Sequence, residues 1–102
     1  MTEIVLKREN GSVVYFEADG HTGYAEAGQD IICASLSSVI WCTVNGLENV
    51  LGADISYSEE DGHVTCLIKN PSRETDILLN SFDKFLDALQ KQYPDFITKT
   101  EV

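Results

Sequence analysis

The chain has 102 residues, 43% hydrophobic and 24% charged, with two prolines, so it suits one folded domain with one core. That excludes a multidomain enzyme with a separate cofactor-binding half, and it argues against disorder. Seventeen Asp and Glu against seven Lys and Arg leave a net charge of −10, a field that repels nucleic-acid phosphates and anionic membrane surfaces and attracts basic partners. The N-terminal Met1–Arg8 has an acid at its third position and a short apolar stretch ending in charge, unlike a signal or transit peptide. The longest nearly uncharged run, Ile31 to Leu47, contains Ser, Thr and Asn and falls short of the roughly 20 residues of a bilayer span. Cys33, Cys42 and Cys66 form an odd set without disulfide-framework spacing, which points to a reducing cytoplasm.

Residues 2–8 and 12–18 are rich in β-branched and aromatic side chains, and Asn10-Gly11 between them predicts a hairpin. A loop with three glycines follows, Asp19-Gly20-His21-Thr22-Gly23-Tyr24-Ala25-Glu26-Ala27-Gly28-Gln29, of the kind that moves or approaches a ligand closely. Asp30 reads as the N-cap of a helix from Ile31 to about Leu51. Its apolar residues Ile32, Leu36, Val39, Ile40, Val44 and Leu47 recur at helical steps, and its broadly apolar circumference predicts extensive burial. A second hairpin is predicted from strands near 53–59 and 63–69 around Glu60-Asp61-Gly62. Ser72 caps a second helix, with Glu74 and Asp76 in its first turn and an apolar face of Leu78, Phe82, Phe85, Leu86, Leu89 and Tyr93 ended by Pro94. A last strand over 96–101 completes the order ββαββαβ, an α+β layer of two helices on a mostly antiparallel sheet, with no repeat or linker and one domain over residues 1–102.

The candidate chemistry lies between His21 and Ser37. His21, His63, Cys33, Cys42 and Cys66 lack the close ligand pairs of a structural zinc site, and Gly20-His21-Thr22-Gly23 lacks the Lys of a phosphate loop. Cys33, three residues beyond the predicted cap, falls in the first turn of the long helix. There the dipole and unpaired N–H groups favour a thiolate and can hold an oxyanion. His21 sits on a loop returning to that helix and is placed to act as a general base. Each residue also has an ordinary role: a small core side chain for Cys33 and a solvated turn residue for His21. Cys42, deep in the helix, Cys66, within a strand, and His63, beside a turn, carry only such ordinary readings, and Trp41 and Tyr15 read as core or interface.

Asp19-Gly20-His21-Thr22, together with Gly28-Gln29-Asp30-Ile31-Ile32-Cys33-Ala34-Ser35-Leu36-Ser37, resembles the signature of the ribosomal-processing cysteine protease family, Prp. Thr43-Val44-Asn45 extends the likeness, and the departures are Thr22 and Gly46, where Ala is commoner. The resemblance implies a cofactor- and metal-free Cys–His protease, usually a homodimer, in the cytoplasm. Such an enzyme removes the basic N-terminal extension of large-subunit ribosomal protein twenty-seven by cutting after an aromatic pair. It also implies Cys33 as nucleophile and His21 as general base and then acid. Asp30 either orients His21 or caps the helix, and Ser37 either lines the pocket or bonds back to a helix carbonyl. Gly20, Thr22, Gly23, Tyr24, Glu26 and Gly28 then belong to a loop closing over the peptide. The competing readings are an acidic module that docks on a basic ribosomal or assembly partner without cutting it, and a dimerising structural domain.

Overall fold

In a computed structural model the described residues are 2–20 and 29–102. They form β1 (Thr2–Glu9), β2 (Ser12–Asp19), α1 (Gln29–Asn45), β3 (Ile55–Glu60), β4 (His63–Ile68), α2 (Arg73–Gln92) and β5 (Ile97–Glu101). The expected ββαββαβ order and the two-helix layer are therefore present. The strands make one sheet in the order β3-β4-β2-β1-β5, in which only the β1–β5 pair is parallel. Both hairpin turns carry left-handed residues, Asn10-Gly11 and Asp61-Gly62, the backbone that such tight connections require.

Alternation along the strands divides the sheet into two faces. Ile4, Leu6, Val13, Phe16, Ala18, Val64, Cys66, Ile68 and Ile97 are buried beneath the helices. A register shift at Lys7/Arg8 in the β1–β2 ladder keeps Val13 and Phe16 on the inner face although they are three positions apart, which strict alternation would place on opposite faces. Phe16 meets Phe82 of α2 at a ring-centroid distance of 4.8 Å and a tilt of 52°, a geometry favoured by aromatic quadrupoles.

The first helix differs from expectation in three ways. It begins at Gln29, so Asp30 lies inside the first turn rather than at the cap, and Cys33 is the fifth helical residue instead of lying in the first turn. It also ends as a regular α-helix at Asn45 and continues as a π-helical turn over Gly46–Val50, where Leu51 N–H reaches the Gly46 carbonyl at 2.9 Å. Gly46 sits where the helices approach: a Cβ there would lie 2.8 Å from Leu78 Cδ2. Finally, burial is confined to one stripe, since Ile31 is 69% exposed and Trp41 54%. The π turn extends the helical segment to Ile31–Val50, 20 residues of mean hydropathy 1.4, which by length and composition is enough to cross a membrane. Stopping at Leu47 understated it. Its buried residues Ile32, Leu36, Ile40, Val44 and Leu47 are part of the core shared with the sheet and α2.

The second helix begins as predicted. Ser72 accepts from Thr75 N–H at 3.2 Å, while Thr75 Oγ1 accepts from Ser72 N–H at 2.8 Å, a reciprocal cap. The predicted face is rotated slightly: Leu79, Phe82, Leu86 and Leu89 are buried, Leu78 is half-buried and Phe85 lies at the surface. Asp83 on that same side is also buried, because cations are waiting for it. Arg8 of β1 donates to Asp83 Oδ2 at 2.8 Å, and Lys99 of β5 pairs with Asp83 and with Asp87. Arg8 further donates to Glu101 at 3.0 Å and Asn80 at 3.1 Å, so one ionic knot binds β1, β5 and α2.

Burial disfavours the charge on Asp83, but Lys99 and Arg8 outweigh it and hold the carboxyl below its ordinary range. The contribution of the ionised carboxylate is therefore complete above the ordinary carboxyl range and is lost as pH falls through the lowered folded-state value. Asp83→Asn is expected to cost about 3 kcal/mol at neutral pH in urea denaturation, because two cations lose their shared partner. The gap between wild type and variant should narrow once the pH drops below about 4. A gap that stays constant down to acid pH would show that Asp83 acts through packing alone.

Candidate active site

Two chain segments flank the candidate site: the end of β2, which precedes His21 in the chain, and the start of α1, which carries Cys33. β2 ends at Asp19, whose Oδ1 accepts from Gly20 N–H at 2.9 Å. Gly20 has φ +87°, a left-handed backbone that only glycine adopts without strain, so the turn into His21 is built from Asp19 and Gly20 together. Residues His21, Thr22, Gly23, Tyr24, Glu26 and Gly28 lie outside the described residues, as do the side chains of Gln29 and Asp30.

Cys33 is half-buried, a free thiol in the second turn of α1. Its place on the helix follows from what each flank of α1 touches. Val39, Cys42 and Thr43 line a groove closed by Leu78, Ser81, Phe82 and Phe85, so that flank faces α2. Trp41 Nε1 donates to Glu59 Oε2 at 3.2 Å, so the opposite flank faces the edge strand β3. At about 100° per residue, Cys33, Ser37 and Trp41 form one ridge drifting about 40° per step, and Cys33 lies between the buried stripe and the β3 flank. The direction of α1 is set as well. Leu47 lies by Ala53, whose N–H it accepts at 2.8 Å, and Trp41 lies by Glu59, so α1 runs antiparallel to β3. The end of α1 with Cys33 therefore points to the end of the sheet where β2 stops at Asp19 and β3 turns into β4.

Ser37 Oγ donates to the Cys33 carbonyl at 2.9 Å, the back-bonded arrangement, in the turn after the thiol. Cys66 is fully buried in β4, where burial pushes the thiol up to about 12 and the Glu48 carboxylate adds to the shift. Such a thiol is a packing residue. Cys42 is exposed on the α2 side of the helix, away from the Cys33 ridge. Among the described residues no group of three His, Cys, Asp or Glu is placed to hold a metal ion.

Two arrangements at this end of the molecule escape a reading of the sequence alone. His63, at the start of β4, has Glu17 Oε2 3.3 Å from Nε2 and Asp19 Oδ1 3.2 Å from Nδ1. The β2–β4 register, which pairs Asp19 with His63, is what brings them together, and nothing local in the sequence announces it. The second is the cluster of Trp41, Tyr57 and Glu59. Tyr57 Oη donates to the same Glu59 oxygen at 2.7 Å, and burial with the Glu59 carboxylate pushes the hydroxyl up to about 12, keeping it a donor. The alternation of β3 places Tyr57 and Glu59 on one face, but Trp41 joins them only through the α1–β3 packing.

Comparison with known proteins agrees with this architecture. Residues 1–98 match the family described as cysteine protease Prp. A ribosomal processing cysteine protease Prp from Staphylococcus aureus is 26% identical over 100 residues, covering 95% of this chain and 94% of that protein. A Streptococcus mutans protein of known crystal structure superposes with a TM-score of 0.93 at 25% identity, covering 100% of this chain and 97% of the other. The Staphylococcus aureus ribosomal processing protease Prp, crystallised with a substrate peptide, superposes at 0.92 with 21% identity over the whole of both chains. With the family model matched over residues 1–98 and the same fold in solved relatives, the chain belongs to the Prp family of cysteine proteases.

Proposed function

We propose that this protease, acting as one domain over residues 1–102, removes a basic N-terminal extension from large-subunit ribosomal protein twenty-seven in the cytoplasm, with Cys33 as nucleophile and His21 as its proton partner. The observation that carries this reading is the position of Cys33: half-buried at the head of α1, directed to the sheet end from which Gly20 turns the chain into His21.

In the first half-reaction the His21 imidazole takes the Cys33 proton and the thiolate attacks the scissile carbonyl carbon. Charge collects on the carbonyl oxygen, where backbone N–H groups of the first turn of α1, at the positive end of the helix dipole, are the available donors. Collapse breaks the C–N bond, the His21 imidazolium protonates the departing amine, and a thioester is left on Cys33. Water, deprotonated by His21, then hydrolyses the thioester and releases the peptide carboxylate and the free thiol. Asp30 belongs here as a group that orients His21 or supports the helix start, and Ser37 supports the thiol turn. Gly20, Thr22, Gly23, Tyr24, Glu26 and Gly28 form the substrate loop.

Mass spectrometry of a peptide spanning the extension junction should show a single cut after the aromatic pair. Cys33→Ala and His21→Ala should each lower kcat by about a thousand-fold or more. Retained cleavage in either variant removes that residue from the dyad. The net charge of −10 implies long-range attraction of a Lys- and Arg-rich extension. Raising ionic strength from about 0.05 M to about 0.5 M should therefore cut kcat/KM at least about three-fold while changing kcat little. An unchanged kcat/KM would exclude steering.

A further inference from the structure

The chain's charge is unevenly distributed. Residues 9–68 contain ten carboxylates and no Lys or Arg, while the remainder carries seven of each sign. The whole net charge of −10 therefore belongs to the stretch comprising β2, α1, β3 and β4, and in this stretch stands an exposed tryptophan.

Trp41 is 54% exposed, an unusual state for the chain's single tryptophan, yet its ring is held in place. Its Nε1 donates to Glu59 Oε2 at 3.2 Å, and Tyr57 Oη donates to that same oxygen at 2.7 Å. Two aromatic donors thus share one carboxylate oxygen, and the other oxygen has no donor among the described residues. Glu60 and Asp61 follow directly, both exposed. An indole face beside an accessible carboxylate, in a stretch of sequence without Lys or Arg, suits a Lys or Arg side chain, which gains from the ring quadrupole and from the charge at once.

The helix relates this feature to the reaction. Trp41 follows Cys33 by eight residues on the same ridge, a rise along the helix of about 12 Å at about 1.5 Å per residue. An extended peptide covers that distance in three or four residues at about 3.3 Å each. β3 is an edge strand, so among the described residues one side of its backbone has no strand partner. Taking Cys33 as the nucleophile, as above, we propose that Trp41, Tyr57 and Glu59 form a subsite for a basic side chain of the peptide substrate, three or four residues from the bond that is cut.

Because Trp41 is the only tryptophan, its fluorescence reports on this subsite without cleavage. The test uses peptides of about twelve residues spanning the junction, with lysine or its uncharged counterpart norleucine at the third and fourth positions on either side of the bond. Titrated into the Cys33→Ala protein, the lysine peptide should shift Trp41 emission and bind about five-fold more tightly than the norleucine peptide. In the Cys33-containing enzyme, Trp41→Ala should raise KM and lower kcat/KM about five-fold for the lysine peptide and less than about two-fold for the norleucine peptide, with Glu59→Gln acting in the same direction. Equal binding of the two peptides, or an equal effect of Trp41→Ala on both, overturns the subsite. The two readings separate cleanly. Cleavage that needs Cys33 but ignores Trp41 leaves the nucleophile standing without the subsite. An indole signal that follows lysine on an uncut peptide leaves the subsite standing and removes that junction as substrate. Circular dichroism confirms that Trp41→Ala, a change at an exposed position, remains folded.

Discussion

A five-stranded sheet with one apolar face must have that face covered, and this chain has two helices to do it. The arrangement of the site follows from how they divide the area. α2 takes the β1–β5 side, bound there by Phe16–Phe82 and by the ionic knot of Arg8, Asp83 and Lys99. α1 is left with the β3 side, and its buried stripe fixes the rotation of the helix. Once that rotation is set, Cys33 emerges at the boundary between buried and exposed, its thiol partly shielded and still open to solvent. A core position would have made it resemble Cys66, whose thiol is pushed up to about 12 and is packed away.

The charges are organised by the same division. Two of the seven cations, Arg8 and Lys99, are consumed in the knot beneath α2, where they neutralise Asp83, Asp87 and Glu101. Lys7 lies over the Tyr15 ring at 5.1 Å, on the face of the sheet away from the helices. None of the seven falls in residues 9–68, so the strands and helix of that stretch carry acids that no Lys or Arg of the same stretch offsets. The ion pairs of Arg8 and Lys99 thus hold one side of the sheet together, while the other side carries carboxylates that outnumber its Lys and Arg.

The element order, the hairpin turns, the Ser72 cap and the family signature were all legible in the sequence, because each depends on neighbours within a few residues. Asn10-Gly11 needs only its own backbone freedom, and Ser72 needs only Thr75. Errors arose where a longer-range partner decides. Phe85 shares the spacing of the α2 stripe but lies at the surface, along the groove between α1 and α2, while Asp83 is buried because Arg8 and Lys99 arrive from other strands. Trp41, read as core or interface, is not in the core: it is exposed and held by a carboxylate eighteen positions away.

What the sequence by itself determined was the chemistry available: a cysteine near a helix start, a histidine after a glycine turn, and an acid excess. These are properties of residue type and local backbone, and they survive any arrangement of the strands. Tertiary structure alone decided the strand order β3-β4-β2-β1-β5 and the antiparallel run of α1 along β3. It also decided the meeting of His63 with Glu17 and Asp19, and of Trp41 with Glu59. The reason is that pairing register and helix rotation are set by burying the whole apolar face at once, a global condition that no single stretch of sequence contains.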